Sequence, residues 1–259
     1  MEEVLLTEQK GSALVLTLNR PEVMNALSSE LAQKLLAAVQ SAGERGDVRA
    51  IVISGAGDKA FCAGTDLKQR RDLTPDEKWA QSRTLWDVNQ AIWNSPKAVI
   101  AAIGGWCLGG GFELALYCDL RIAAEDARFG WPEMTLGAYP GGGGAVMLPR
   151  IVGRAKAKEL LFTARRIGAA EALALGLVER VVPRTQLLDS ALALAREMEN
   201  TSPLGLAAVK QAINRGVDLP LADAAELDQS LRRPLEATRD YEEGIRAHFE
   251  KRKPVFRGQ

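Results

Sequence analysis

The sequence predicts an α/β protein, a layered core followed by a helical module at its C-terminal end. Three observations carry this. Short strand-forming runs alternate with helical stretches over roughly the first 150 residues. Some of these runs, AVIAAI at 98–103 above all, are apolar at every position, as expected of strands covered on both faces. After Pro149 the composition shifts to the helix formers Ala, Leu, Glu and Arg, punctuated by Pro183, Pro203, Pro220 and Pro234. The boundary is placed near 195–200, with a core over 1–197 and a helical module over 198–259.

The elements follow in order. ALVLTL (13–18) reads as a strand ended by the turn residues NRP. Apolar positions 27, 31, 35, 36 and 39 recur at helical spacing, with Ser28 and Ser29 as N-cap candidates. AIVIS (50–54) is a buried strand closed by GAGD. Residues 76–94 are helical up to Pro96, and AVIAAI follows as a strand. A glycine cluster leads into a short helix over 111–118, and LRIAA (120–124) is a further strand. Helices are then expected over 154–164, 169–175, 186–199, 203–216 and, interrupted by Pro234, 221–248.

Composition excludes several function classes. With 33 basic and 33 acidic residues the formal net charge is zero, which removes the electrostatic reason to expect a nucleic acid or membrane partner. No run approaches the length of a membrane span, and MEEVLLTEQK lacks the basic opening of a secretory signal, so a soluble cytoplasmic protein is expected. Cys62, Cys107 and Cys118 form no CxxC pair, which suits a reducing compartment and gives no metal site. His248 is the single histidine, so a Ser-His-Asp triad or a His-rich metal centre has almost nothing to build on. Neither GxSxG nor GxxxxGK[ST] occurs. Carboxylates and backbone groups remain as the agents of any chemistry.

Four stretches are candidates. SGAGDKA fits GxGxxA at Gly55, Gly57 and Ala60, but no periodic helix opens at the glycines to hold a pyrophosphate, so a plain loop is the better reading. In FCAGTDL (61–67), the small Ala63 and Gly64 either form a surface turn or let backbone approach a ligand closely. In GGWCLGGGFELALYCDL (104–120), Gly109, Gly110 and Gly111 precede a helix N-terminus, where unpaired N–H groups can hold an oxyanion. Glu113 lies in the first turn of that apolar helix. It is either an acid favoured by the helix dipole or a buried proton carrier of raised pKa. Glu133, after Pro132, is ordinary alone, but two such acids can divide the work, one taking a proton from water and the other giving one to carbon. PGGGGAVML (140–148) is either a mobile linker or a loop-to-helix turn lining a pocket, and Asp119 reads as a cap or ion-pair partner.

Taken together, NRPEVMNAL (19–27), AFCAGTDL (60–67), PKAVIAAIGGWCLGGGFELALYCDLRIA (96–123), FGWPEMTLGAYPGGGG (129–144) and EGIRAHFEKRKPVF (243–256) resemble the enoyl-CoA hydratase/isomerase (crotonase) family over nearly the whole chain. The resemblance implies a crotonase-like spiral of repeated ββα units, with a C-terminal helical module that builds a homotrimer or a dimer of trimers. It implies an acyl-CoA thioester substrate and no cofactor beyond the coenzyme A carried by that substrate. By position it implies catalytic Glu113 and Glu133, an oxyanion hole from the N–H groups of Ala63 and Gly110, and substrate contacts from Ala63, Gly64, Thr65, Asp66, Gly110, Trp131 and Tyr139. Retention of both glutamates favours hydration of trans-2-enoyl-CoA to 3-hydroxyacyl-CoA. The alternatives are an isomerase working through Glu133 and a non-catalytic CoA-binding assembly protein. The chain departs from many hydratases at Gly104-Gly105, at Trp131 before the Pro-Glu pair, and at AVML (145–148), which puts the acyl group in question.

Overall fold

The computed structural model describes residues 3–259. Among these residues, ten strands form two sheets. The larger contains β1 (Leu5–Lys10), β2 (Ala13–Leu18), β3 (Ala50–Gly55), β5 (Ala98–Ile103), β7 (Leu120–Ala124) and β10 (Arg180–Val182), in the order β1-β2-β3-β5-β7-β10. The smaller contains β4 (Ala60–Cys62), β6 (Trp106–Leu108), β8 (Arg128–Gly130) and β9 (Ile167–Gly168), in the order β4-β6-β8-β9. Among the strand pairs of the described residues, only β1–β2 and β8–β9 run antiparallel. Each turn of the chain lays one strand in the large sheet and the next in the small one: β3 then β4, β5 then β6, β7 then β8. Helices α1 (Ser29–Glu44), α3 (Pro75–Asn94) and α4 (Gly110–Tyr117) connect successive turns, with the short α2 (Leu67–Arg71) before α3. This is the repeated ββα spiral expected from the resemblance.

The unbroken apolar runs now have a physical reason. In β2, β3 and β5 alternate side chains enter two different cores. Leu14, Leu16, Ile51, Ile53, Val99 and Ile103 face the main core under α1, α3 and α4. Val15, Val52 and Ile100 face a second layer, covered by Ala191, Leu192 and Ala195 of α8 (Leu187–Glu197). Between them, α5 (Gly144–Val152), α6 (Arg154–Thr163) and α7 (Ala169–Ala174) lead from the small sheet to β10.

The C-terminal module comprises α9 (Pro203–Gly216), α10 (Leu221–Arg232) and α11 (Arg239–Phe249). The expected stretch 221–248 is divided by a 3₁₀ turn, Arg233–Ala237, because Pro234 has no N–H to continue the helix. Buried Lys210 ties α9 to the core, donating to the Ile92 carbonyl at 3.0 Å, the Lys97 carbonyl at 3.1 Å and Asp119 Oδ2 at 2.8 Å. Asp119 also accepts from Val99 N at 2.7 Å, so the ion-pair reading of this residue holds. The GxGxxA stretch is a loop followed by strand β4, with no helix opening at Gly55 or Gly57. No described helix is long and apolar enough to cross a membrane.

Candidate active site

The segment 63–66 hangs on the NRPEVMNAL turn. Asn25, fully buried with φ 55°, accepts Arg20 N through Oδ1 at 3.0 Å and donates to the Ala56 and Ala60 carbonyls at 2.9 and 2.7 Å. Arg20 pairs with Asp66 at 2.8 Å. Leu27 pairs with the segment in parallel fashion: its N–H donates to the Gly64 carbonyl at 2.8 Å, and its carbonyl accepts Asp66 N at 3.0 Å. A parallel bridge of this kind uses the flanking residues, so the N–H of Thr65 points away from Leu27 and finds no protein acceptor among the described residues.

This corrects one expectation. The Ala63 N–H donates to the Met24 carbonyl at 2.9 Å and is not available to a ligand. The Gly64 N–H is occupied by Cys62 Sγ at 3.4 Å, leaving Thr65 as the free donor of the segment. Across from it, Gly110 opens α4, and the N–H of a first helical residue has no intrahelical acceptor. A Cβ placed on Gly110 would stand 3.6 Å from Thr65 N, so the two N–H groups share one small space. Gly64 keeps that space open. It adopts φ 94°, and a side chain there would meet Gly110 N at 3.0 Å and the Leu108 carbonyl at 2.9 Å. Sequence reasoning placed the donor in the right loop two residues early, because the direction of an N–H is set by tertiary pairing.

Glu113 lies one turn into α4 and is 3 % exposed. Its carboxyl accepts Gly142 N at 3.0 Å and Gly144 N at 2.8 Å. The glycine run 141–144 is thus a built backbone cradle and not a mobile linker. Asn89 of α3 fixes the cradle by donating to the Gly142 carbonyl at 2.8 Å. Burial pushes the Glu113 carboxyl up to about 7, and the charge of Glu133 adds to this against the two N–H bonds. Glu133 follows Pro132 in a 3₁₀ turn. Burial raises its pKa also, and its Oε2 is buried without a partner. Oε2 lies beside the glycine before the oxyanion donor: a Cβ on Gly109 would be 2.9 Å from it.

Glu113 and Glu133 line one cavity of about 150 Å³, together with Gly64, Thr65, Gly110 and Tyr139. Ala63 also lines it. Two expected substrate contacts lie elsewhere. Asp66 is turned into the protein, pairing with Arg20 and capping α2 through the N–H groups of Lys68 and Gln69, both at 3.1 Å. Trp131 is buried behind the cavity wall, stacked on Phe112 with ring centroids 4.3 Å apart. Asn25, Asn89, Gly142 and Gly144 were not singled out from the sequence. Their work depends on partners about 30 or more residues away, which no local pattern reveals.

The cavity therefore combines a buried and a half-buried acid, both of raised pKa, with two unpartnered backbone donors. The sequence profile of the enoyl-CoA hydratase/isomerase family matches residues 8–259. A candidate enoyl-CoA hydratase/isomerase of Bacillus subtilis is 41 % identical over 258 residues, covering 99 % of each chain. A short-chain-enoyl-CoA hydratase of Clostridium acetobutylicum is 36 % identical, covering 96 % of this chain and 95 % of its own. The crystal structure of an enoyl-CoA hydratase from Bacillus anthracis superposes with a TM-score of 0.96 at 36 % identity, covering 99 % of this chain and all of that one. Fold, glycine loops and full-length similarity agree, and the chain belongs to the enoyl-CoA hydratase/isomerase family.

Proposed function

We propose that the protein hydrates trans-2-enoyl-CoA thioesters to 3-hydroxyacyl-CoA. The observation that carries the reading is the pairing of Glu113 and Glu133 across one cavity from the free N–H groups of Thr65 and Gly110. The thioester carbonyl accepts both N–H groups, which draws electron density from the β-carbon. Ionised Glu113 takes a proton from water as the water oxygen bonds to the β-carbon. The alkene π electrons pass to the α-carbon and carbonyl, giving an enolate whose oxygen the two donors hold. Glu133, protonated and next to Gly109, delivers its proton to the α-carbon. A proton then moves from Glu113 to Glu133 through solvent and restores the starting state. Two features support this division: Glu113 is held in a cradle of N–H groups, and Glu133 keeps an unpartnered oxygen beside the donor loop.

An isomerase needs one proton shuttle only, and the cradle around Glu113 favours the hydratase. Incubation with a 2-enoyl-CoA and a 3-enoyl-CoA separates the two. Water addition to the first is expected; conversion of the second to the first without hydration would support the isomerase. Glu113→Gln and Glu133→Gln are each expected to lower turnover by about 10² to 10⁴-fold. Full turnover in both variants would overturn the assignment.

The same reading extends to assembly. Val209 and Ile213 on α9, Val217 at its C-terminal cap and Leu221 at the start of α10 are exposed apolar residues. We assign them to contacts with further copies of the chain in a homotrimer.

A further inference from the structure

The cavity holds one charged group that the hydration chemistry does not use. Arg70, in α2, lines it together with Glu113 and Glu133 and is half-buried. Its Nη1 donates to the Lys78 carbonyl at 3.1 Å and to Gln81 Oε1 at 3.0 Å. Its Nε and Nη2 donate to no protein acceptor among the described residues, and no carboxylate pairs with it. The neighbouring acids are committed elsewhere: Asp66 to Arg20 at 2.8 Å, Asp72 to Arg71 at 2.8 Å, and Glu77 to Thr74 N at 2.8 Å.

The same cavity has a largely apolar wall, with Leu27, Leu35, Leu85 and Val88. A neutral acyl chain filling this space would strip water from the guanidinium and return nothing. The Nη1 bonds already hold the group in one orientation, so a ligand need not order it. The edge left open, Nε with Nη2, is one that matches the two oxygens of a carboxylate.

We propose that Arg70 is a specificity residue that receives a carboxylate at the far end of the acyl chain, so that the preferred substrates are short 2-enoyl-CoA thioesters of dicarboxylic acids. Arg70 lines the same cavity as both glutamates and the Thr65 and Gly110 donors, which keeps the span from thioester to carboxylate short. This rests on the thioester reading above for the placement of the acyl group.

Binding and turnover test it separately. Titration calorimetry of the full chain compares glutaryl-CoA with pentanoyl-CoA, which have equal carbon counts. The first is expected to bind about tenfold or more tightly. Arg70→Gln is expected to bring that ratio close to one, and Arg70→Lys to retain part of it. In turnover, the ratio of kcat/KM for glutaconyl-CoA over 2-pentenoyl-CoA falls in the same order. A residue that only braces α2 against α3 would lower both substrates together and leave the ratio unchanged. Equal binding of the two thioesters by the native protein, or a ratio unmoved in Arg70→Gln, overturns the proposal. Should the binding preference persist while neither unsaturated thioester is hydrated, the hydratase reading fails and the Arg70 assignment stands.

Discussion

Glu113 carries opposing demands of stability and function in a single side chain. Its carboxyl titrates at about 7 in the fold against an ordinary value of 4.5. The folded state therefore binds its proton more tightly than the unfolded state does. Stability contributed by the protonated form is present below about 4.5 and is lost as pH rises to about 7, above which the full cost of the buried charge remains. That cost is on the order of 3–4 kcal/mol. Glu113→Gln is accordingly expected to raise the melting temperature at pH 8 and to leave it nearly unchanged at pH 4, while removing turnover. Equal shifts at both pH values would show that desolvation of the charge is not the cause. As a general base the same group must be ionised, so kcat/KM of the native protein is expected to fall as pH drops through about 7. Glu113 itself was evident from sequence, because a carboxylate in the first turn of an otherwise apolar helix invites an explanation. Its cradle was not, because Gly142 and Gly144 lie 29 and 31 residues further along the chain.

Among the elements, the turn before α1 does more than connect β2 to the helix. Through Asn25, Arg20, Met24 and Leu27 it holds the loop between β4 and α2; it takes the N–H groups of Ala63 and Asp66, Cys62 Sγ takes that of Gly64, and the Thr65 N–H is left free. Asn25→Ala removes the partner of two backbone carbonyls and one N–H in a buried site, at a left-handed position that Asn tolerates better than Ala. It is expected to destabilise by about 2–4 kcal/mol in urea unfolding. Turnover should fall further than KM rises, since a displaced Thr65 N–H weakens the transition state more than the ground state. Strands β2, β3, β5 and β7 and the long helices are readable from sequence by periodicity and by caps, such as Ser28 accepting Leu31 N at 3.2 Å, whereas β1 and β10 are not. Strands β4, β6, β8 and β9, two or three residues each, are not either. So short a strand shows no period of its own, and it exists because its neighbour lies beside it.

At the scale of the whole molecule, the two-sheet spiral places the β4–α2 loop, the start of α4, the β8 turn and the 141–144 run around one cavity. Each ββα turn adds one strand to each sheet, so loops distant in sequence gather at one place. The helical module offers exposed apolar residues at Val209, Ile213, Val217 and Leu221, although Lys210 between them is buried and paired. Light scattering is expected to give the mass of three chains, and Val217→Asp to shift it towards one chain. A native protein with the mass of a single chain would remove the assembly proposal.

By itself the sequence determined the α/β class, the family, both glutamates and the loops that surround them, because these rest on local hydrophobic periodicity, helix signals and ordered motifs. Tertiary structure alone decided which N–H groups are left over, which carboxylates are paired, and which residues face the cavity. Asp66 turned inward to Arg20, Ala63 gave its N–H to Met24, and Trp131 went behind Phe112. The physical reason is satisfaction of buried polar groups. A donor becomes available to a substrate only when every nearby acceptor is already taken, and that depends on all the segments packed around it.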